Sequence, residues 1–198
     1  MQEHIEPPNQ YAWVVYAVGM LMVGSLAGYV LSVQMNGPGA TATPAPAGAT
    51  APGPIVNEQE LRAYRDILAR DPRNADAAVK AGNLLYDAQR YPEAIAFYEQ
   101  AFAINPSDIN VSTDLGTALW YAGRADEALA QYQRSLALDP AHGQTLFNIG
   151  IVRADGKNDY AGAVAAWDTL LKTNPQYADV AKVQTLIAGA RQKTGVTR

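Results

Sequence analysis

Cysteine is absent from all 198 residues, which excludes disulfides, thiolate-held metals and cysteine nucleophiles. Histidine is almost absent. His4 lies in a polar tail and His142 at a repeat junction, so imidazoles cannot gather into a metal site. No Lys or Arg occurs before Arg62, and all 15 cationic residues follow from there. The formal net charge of −4 leaves no basic footprint for nucleic acid. Phosphate-cradling glycine loops, nucleophile elbows and zinc-protease motifs are missing, and the carboxylates are scattered along helix faces rather than paired in a cleft. The reading is a protein that is not an enzyme and uses no cofactor and no metal.

What is present begins with one long apolar run. Residues 1–10 form a polar tail, and Tyr11 to Val33 follow with 23 residues free of charge. As a helix this run would be about 35 Å long, against a hydrocarbon core of about 30 Å. Tyr11, Trp13 and Tyr16 at one end and Tyr29 near the other occupy interfacial positions. A basic leader, a short apolar core and a small-residue cleavage site are all lacking, so residues 11–33 are expected to be an uncleaved transmembrane helix. The flanks carry no cations with which to orient it. Analogy with single-anchor envelope proteins puts the large domain outside, in the periplasm of a bacterial inner membrane. Gly24 and Gly28, continued by Ser32, make a small-residue ridge that would allow weak pairing of two anchors. Residues 34–56 are rich in Pro, Ala, Thr and Gly, a composition that forbids a helix and predicts a flexible linker.

From Asn57 onward the pattern is helical. Asn57 followed by Glu60 resembles a capping box, and Leu61, Tyr64, Ile67 and Leu68 share one face of the helix it would open. Pro72, Pro106, Pro140 and Pro175 then recur at intervals of 34, 34 and 35 residues. A period of this size marks a solenoid of helix pairs. Within each interval the same side chains return in register. The first unit has Ala78, Ala81, Gly82 and Leu85, then Ala94, Tyr98 and Ala101. The second has Leu115, Gly116 and Leu119, then Ala128, Tyr132 and Ser135. The third has Leu146, Ile149 and Gly150, then Ala163, Trp167 and Leu170. The glycine and the alanine let two helix backbones approach, the aromatic fills the remaining space, and the proline stops the second helix. The third unit carries one extra residue around Asp155–Asp159 and places Arg153 at an otherwise apolar position. Its first helix is therefore expected to be longer by a residue or locally widened.

These residues resemble the tetratricopeptide repeat. The resemblance implies an all-α, right-handed solenoid over 57–193: a half unit at 57–72, full units at 75–108, 109–142 and 143–177, and a capping helix at 178–193. It also implies a peptide-binding groove lined by the first helix of each unit. Carried over place by place, the groove residues are Val79, Asn83, Tyr86 and Asp87, then Thr113, Thr117, Trp120 and Tyr121, then Gln144, Phe147 and Ile151. Tyr86, Trp120, Tyr121 and Phe147 are aromatics that the repeat core does not require, hence candidate anchors for a guest chain. The alternative is that Trp120 or Phe147 packs against the adjoining unit. A clamp for a terminal carboxylate is disfavoured, because its cationic places hold Val79, Asp114, Gln144 and Asn148. The run from Thr145 to Trp167 is similar to repeat subunits of cytochrome c maturation systems. That likeness implies a chaperone-like holder of apocytochrome c. The competing expectation is a scaffold subunit of a membrane complex whose anchor packs against integral partners.

Overall fold

A computed structural model describes residues 55–195. The expected span at 11–33, nearly all of the linker and the Gly24/Gly28 contact lie outside the described residues. Among the described residues no helix is long and apolar enough to cross a membrane.

Eight α-helices follow one another without strands among these residues: α1 (Glu58–Arg70), α2 (Ala75–Asp87), α3 (Tyr91–Ile104), α4 (Ile109–Tyr121), α5 (Ala125–Leu138), α6 (Gly143–Ile151), α7 (Tyr160–Thr173) and α8 (Val180–Lys193). They pack as successive neighbours, α2 along α3, α4 along α5, and α6 along α7, with α8 closing the row. The starts are set by short polar side chains. Asn57, Asn74, Asp108 and Asp159 each accept a backbone N–H of the first turn they precede. At Asn57 the box is a variant, since Glu60 Oε2 accepts from the Asn57 side-chain amide at 3.2 Å. α3 and α5 begin instead at Arg90 and Arg124, which fork onto Glu93 and Glu127 at 2.6–2.7 Å. Four helices end two residues before the repeating prolines, whose rings bar the preceding residue from helical geometry.

The core is built by the glycine–aromatic pairs. A Cβ on Gly82 would lie 2.8 Å from the Tyr98 ring, and one on Gly116 would lie 2.5 Å from Tyr132. At Gly150 it would meet the Trp167 indole closer still. Each aromatic is thus seated on bare backbone. Each also spends its polar tip: Tyr98 donates to Asn83 Oδ1 (2.8 Å), Tyr132 to Thr117 Oγ1 (3.0 Å), and Trp167 to the Phe147 carbonyl (3.1 Å).

One buried cluster runs from Leu61 through Tyr132 to Val152, and a second joins Leu146 and Trp167 to Val183 and Ile187 of α8. In α1, Leu61 and Leu68 are buried, but Ile67 is exposed; it lies beyond the edge of the stripe that α2 covers.

The extra residue of the third unit is absorbed as a π-helical turn at Val152–Gly156, directly continuing α6. One residue inserted into an α-helix widens it in this way. Val152 and Ala154 take the buried positions there, while Arg153 is left half-buried and pairs with Asp159 at 3.4 Å.

Candidate peptide-binding groove

The first helices of the three units, α2, α4 and α6, line a cavity of about 530 Å³, to which α3 adds Tyr98. Helical spacing explains the lining. Asn83, Tyr86 and Asp87 fall on one face of α2, Asp114, Thr117 and Tyr121 on one face of α4, and Gln144, Phe147 and Asn148 on one face of α6.

Seven of the expected groove residues meet here: Asn83, Tyr86, Asp87, Thr117, Tyr121, Gln144 and Phe147. Tyr86 and Tyr121 approach edge-on with centroids 5.9 Å apart, and Tyr121 stacks on Tyr91 at 5.2 Å. Tyr121 remains 54% exposed, a large ring presented to solvent at the cavity rim. Phe147 stacks against Tyr177 at 6.1 Å, and the Lys182 ammonium of α8 lies 5.4 Å from its ring centroid.

Four expected residues are placed elsewhere, each for a packing reason. Thr113 is buried, donating to the Ile109 carbonyl (2.7 Å) and pairing with Thr145 Oγ1 (2.8 Å) across the joint between α4 and α6. Val79 packs on the small cluster around Leu68 and Val111. Ile151 packs on the cluster around Trp167. Trp120 turns away from the cavity because the π turn brings Gly156 beneath its indole; a Cβ there would lie 2.5 Å from Cζ3. Of the four aromatic anchor candidates, Trp120 is the one that leaves the cavity, while Tyr86 and Tyr121 meet across the joint between units within it.

Three lining residues fell outside the expected set: Tyr98, Asp114 and Asn148. Tyr98 was legible only as a core aromatic, although a tyrosine rather than phenylalanine there signals a hydroxyl with a partner. Asp114 and Asn148 occupy corresponding places of α4 and α6, three residues before Thr117 and four after Gln144 respectively. The clamp pattern already marks both as groove places, and their i, i+3/i+4 relation to the expected residues carries the same signal.

The polar lining is mostly self-satisfied. Asn148 accepts from Gln144 (3.0 Å) and donates to Thr117 (3.1 Å), whose own hydroxyl donates to the Thr113 carbonyl (2.9 Å). Burial pushes the Tyr86 and Tyr98 phenols up, and that of Tyr132 to about 12, so all three stay neutral. Asp114 differs. Its carboxylate reaches solvent through the cavity mouth but is crowded by protein elsewhere. This desolvation, with a smaller push from Asp108, raises its pKa to about 6. It has no hydrogen-bond or ion-pair partner among the described residues. Nor do those residues hold any cluster of three metal-ligating side chains.

A row of antiparallel helix pairs with a polar and aromatic groove along its first helices defines a helical-repeat binding module. Its repeats are tetratricopeptide repeats: that family matches residues 73–141 and again 113–178. Among solved structures the fold is similar to a crystal structure of MamA, with a TM-score of 0.63 and 21% identity over 68% of this chain and 77% of that one. A second MamA crystal structure gives a TM-score of 0.62 at 21% identity, over 68% and 72%. A third, titled MamA MSR-1 C2, gives 0.54 at 23%, over 60% and 68%. At these identities the likeness is one of fold. No curated protein matches the chain.

Proposed function

We propose that the protein is a membrane-anchored adaptor of the bacterial envelope that holds a segment of a partner protein in the α2/α4/α6 groove. The observation that carries this reading is the cavity of about 530 Å³ lined by Tyr86, Tyr121 and Phe147 from the first helices of the three units. The tetratricopeptide repeats support a protein-binding role. In this reading residues 11–33 span the inner membrane once and residues 34–56 tether the repeats on the periplasmic side. The guest is an unfolded apocytochrome c awaiting haem attachment, as the likeness of Thr145–Trp167 suggests.

The test is a pull-down by the full chain, in mild detergent, of reduced apocytochrome segments. Binding is expected, weakened tenfold or more by Tyr86→Ala with Tyr121→Ala, two substitutions in the cavity lining. No binding, or binding indifferent to both tyrosines, overturns the holder role. Replacing residues 11–33 by an unrelated span is expected to leave the pull-down intact. Loss of co-purifying integral proteins on that replacement would instead favour the scaffold role.

A further inference from the structure

We propose that the groove selects a guest segment bearing a lysine or arginine, whose cationic end sits against Asp114 while its aliphatic stem lies along Tyr86 and Tyr121. This rests on the groove reading and specifies its guest. Three observations on the cavity carry it.

The first is the missing partner. The lining amides of Asn83, Gln144 and Asn148 and the Thr117 hydroxyl are engaged with neighbouring side chains, whereas the carboxylates of Asp87 and Asp114 pair with nothing among the described residues. Asp114 is exposed at the cavity, so a cation from outside can reach its carboxylate and pair with it. The second is the sign of the lining. It contains two aspartates, Asp87 and Asp114, and no Lys, Arg or His. Elsewhere some carboxylates are paired, Asp76 with Lys80 at 2.7 Å and Asp126 with Lys157 at 2.6 Å, whereas neither lining aspartate has a cation within ion-pair distance among the described residues. The third is the wall. Tyr86 and Tyr121 line the same cavity, and aromatic faces accept both the alkyl stem and the charge of such side chains. The chain already uses this contact with its own residues, Lys182 over Phe147 and Lys193 over Tyr160.

Two carboxylates without a third ligand do not make a metal site, which leaves a side-chain cation as the fitting occupant. The selection is also pH-dependent. Asp114 is faced by Tyr86 and Asp87 of α2, Tyr98 of α3, Tyr132 of α5, and Asp108 at the start of its own helix. The phenols stay neutral, and α6 brings only Gln144, Phe147 and Asn148 to the cavity. Lys182 covers Phe147 from α8 without lining the cavity. Protonation of Asp114 near pH 6 therefore removes the central charge.

The experiment is selection of a library of random twelve-residue peptides on the full chain in mild detergent at pH 7.5. Parallel selections use Asp114→Asn and the Tyr86→Ala/Tyr121→Ala pair, with circular dichroism confirming the helices of each variant. Expected are clones with Lys or Arg enriched about fivefold at one register position, and binding about tenfold weaker at pH 5. Asp114→Asn still selects peptides but loses the basic enrichment. Groove-dependent clones without basic enrichment, or enrichment that survives Asp114→Asn, overturn the cationic seat and leave the groove standing. Clones displaced equally well by free N-acetyl-lysine amide reassign the seat to small cations and overturn the peptide reading. Clones insensitive to the tyrosine pair, or no clones, overturn both the groove and this inference.

Discussion

Asp114 shows what a single side chain can conceal. Read along the chain it is one acid in the helical stretch Ile109–Tyr121. In the fold it is one of two unpaired carboxylates lining the groove, and desolvation raises its pKa to about 6. The native state then holds a proton more tightly than the unfolded chain, whose aspartate titrates near pH 4. Between those values the folded form binds more protons, so stability falls as pH rises through the window and the penalty is complete above it. Asp114→Asn is expected to raise the melting temperature at pH 7.5, by an amount corresponding to about 1 kcal/mol once solvent screening is discounted. The gap should close below pH 4. Thermal melts of both proteins across pH 3.5–8 check this, and an equal gap at every pH would sink it.

Among the elements, the glycine–aromatic pairs were legible because both partners are identifiable from residue type and period. Gly82 with Tyr98, and Gly116 with Tyr132, sit in contact as the repeat demands. The turns between paired helices were less so. Gly123 takes φ 79° at no cost, but the same left-handed geometry falls on Gln89 (φ 59°) and Asn158 (φ 52°) in the other two units. The extra residue of the third unit was visible as a length mismatch, while its consequence for Trp120 was not. Widening of Val152–Gly156 moves Gly156 under that indole, a contact between units that depends on how the two helices meet. Gly156→Ala is accordingly expected to force the ring aside, lowering stability by about 1–3 kcal/mol. Urea unfolding followed by tryptophan fluorescence would read both the midpoint and the altered native spectrum. An unchanged midpoint would show that the indole yields freely.

For the domain as a whole, the solenoid has an exposed end that α8 must close. Val183, Ile187 and Ala190 bury against Trp167 and Leu170, while exposed Lys182 and Arg191 flank that stripe, the first over Phe147 and the second against Asp168 at 3.0 Å. Ile187→Ala is expected to cost about 2–4 kcal/mol and to loosen the second core cluster before the first. Hydrogen exchange on the full chain would check this. Protection should fall in α6–α8 and persist in α2–α5, whereas uniform loss would mean that the two clusters unfold as one.

The sequence by itself determined that the chain from Asn57 is a stack of helix pairs. Prolines, glycines and aromatics act through local sterics, and their period repeats those sterics in register. It also determined most of the groove, since residues three or four apart share a helix face. Only the tertiary structure decided which of those residues face the cavity and which serve the joints between units. Thr113 is drawn to Thr145, Trp120 to Gly156, and Asp114 is left without a partner. Those outcomes depend on how neighbouring helices meet, and a meeting of distant residues leaves no mark on the spacing of either one.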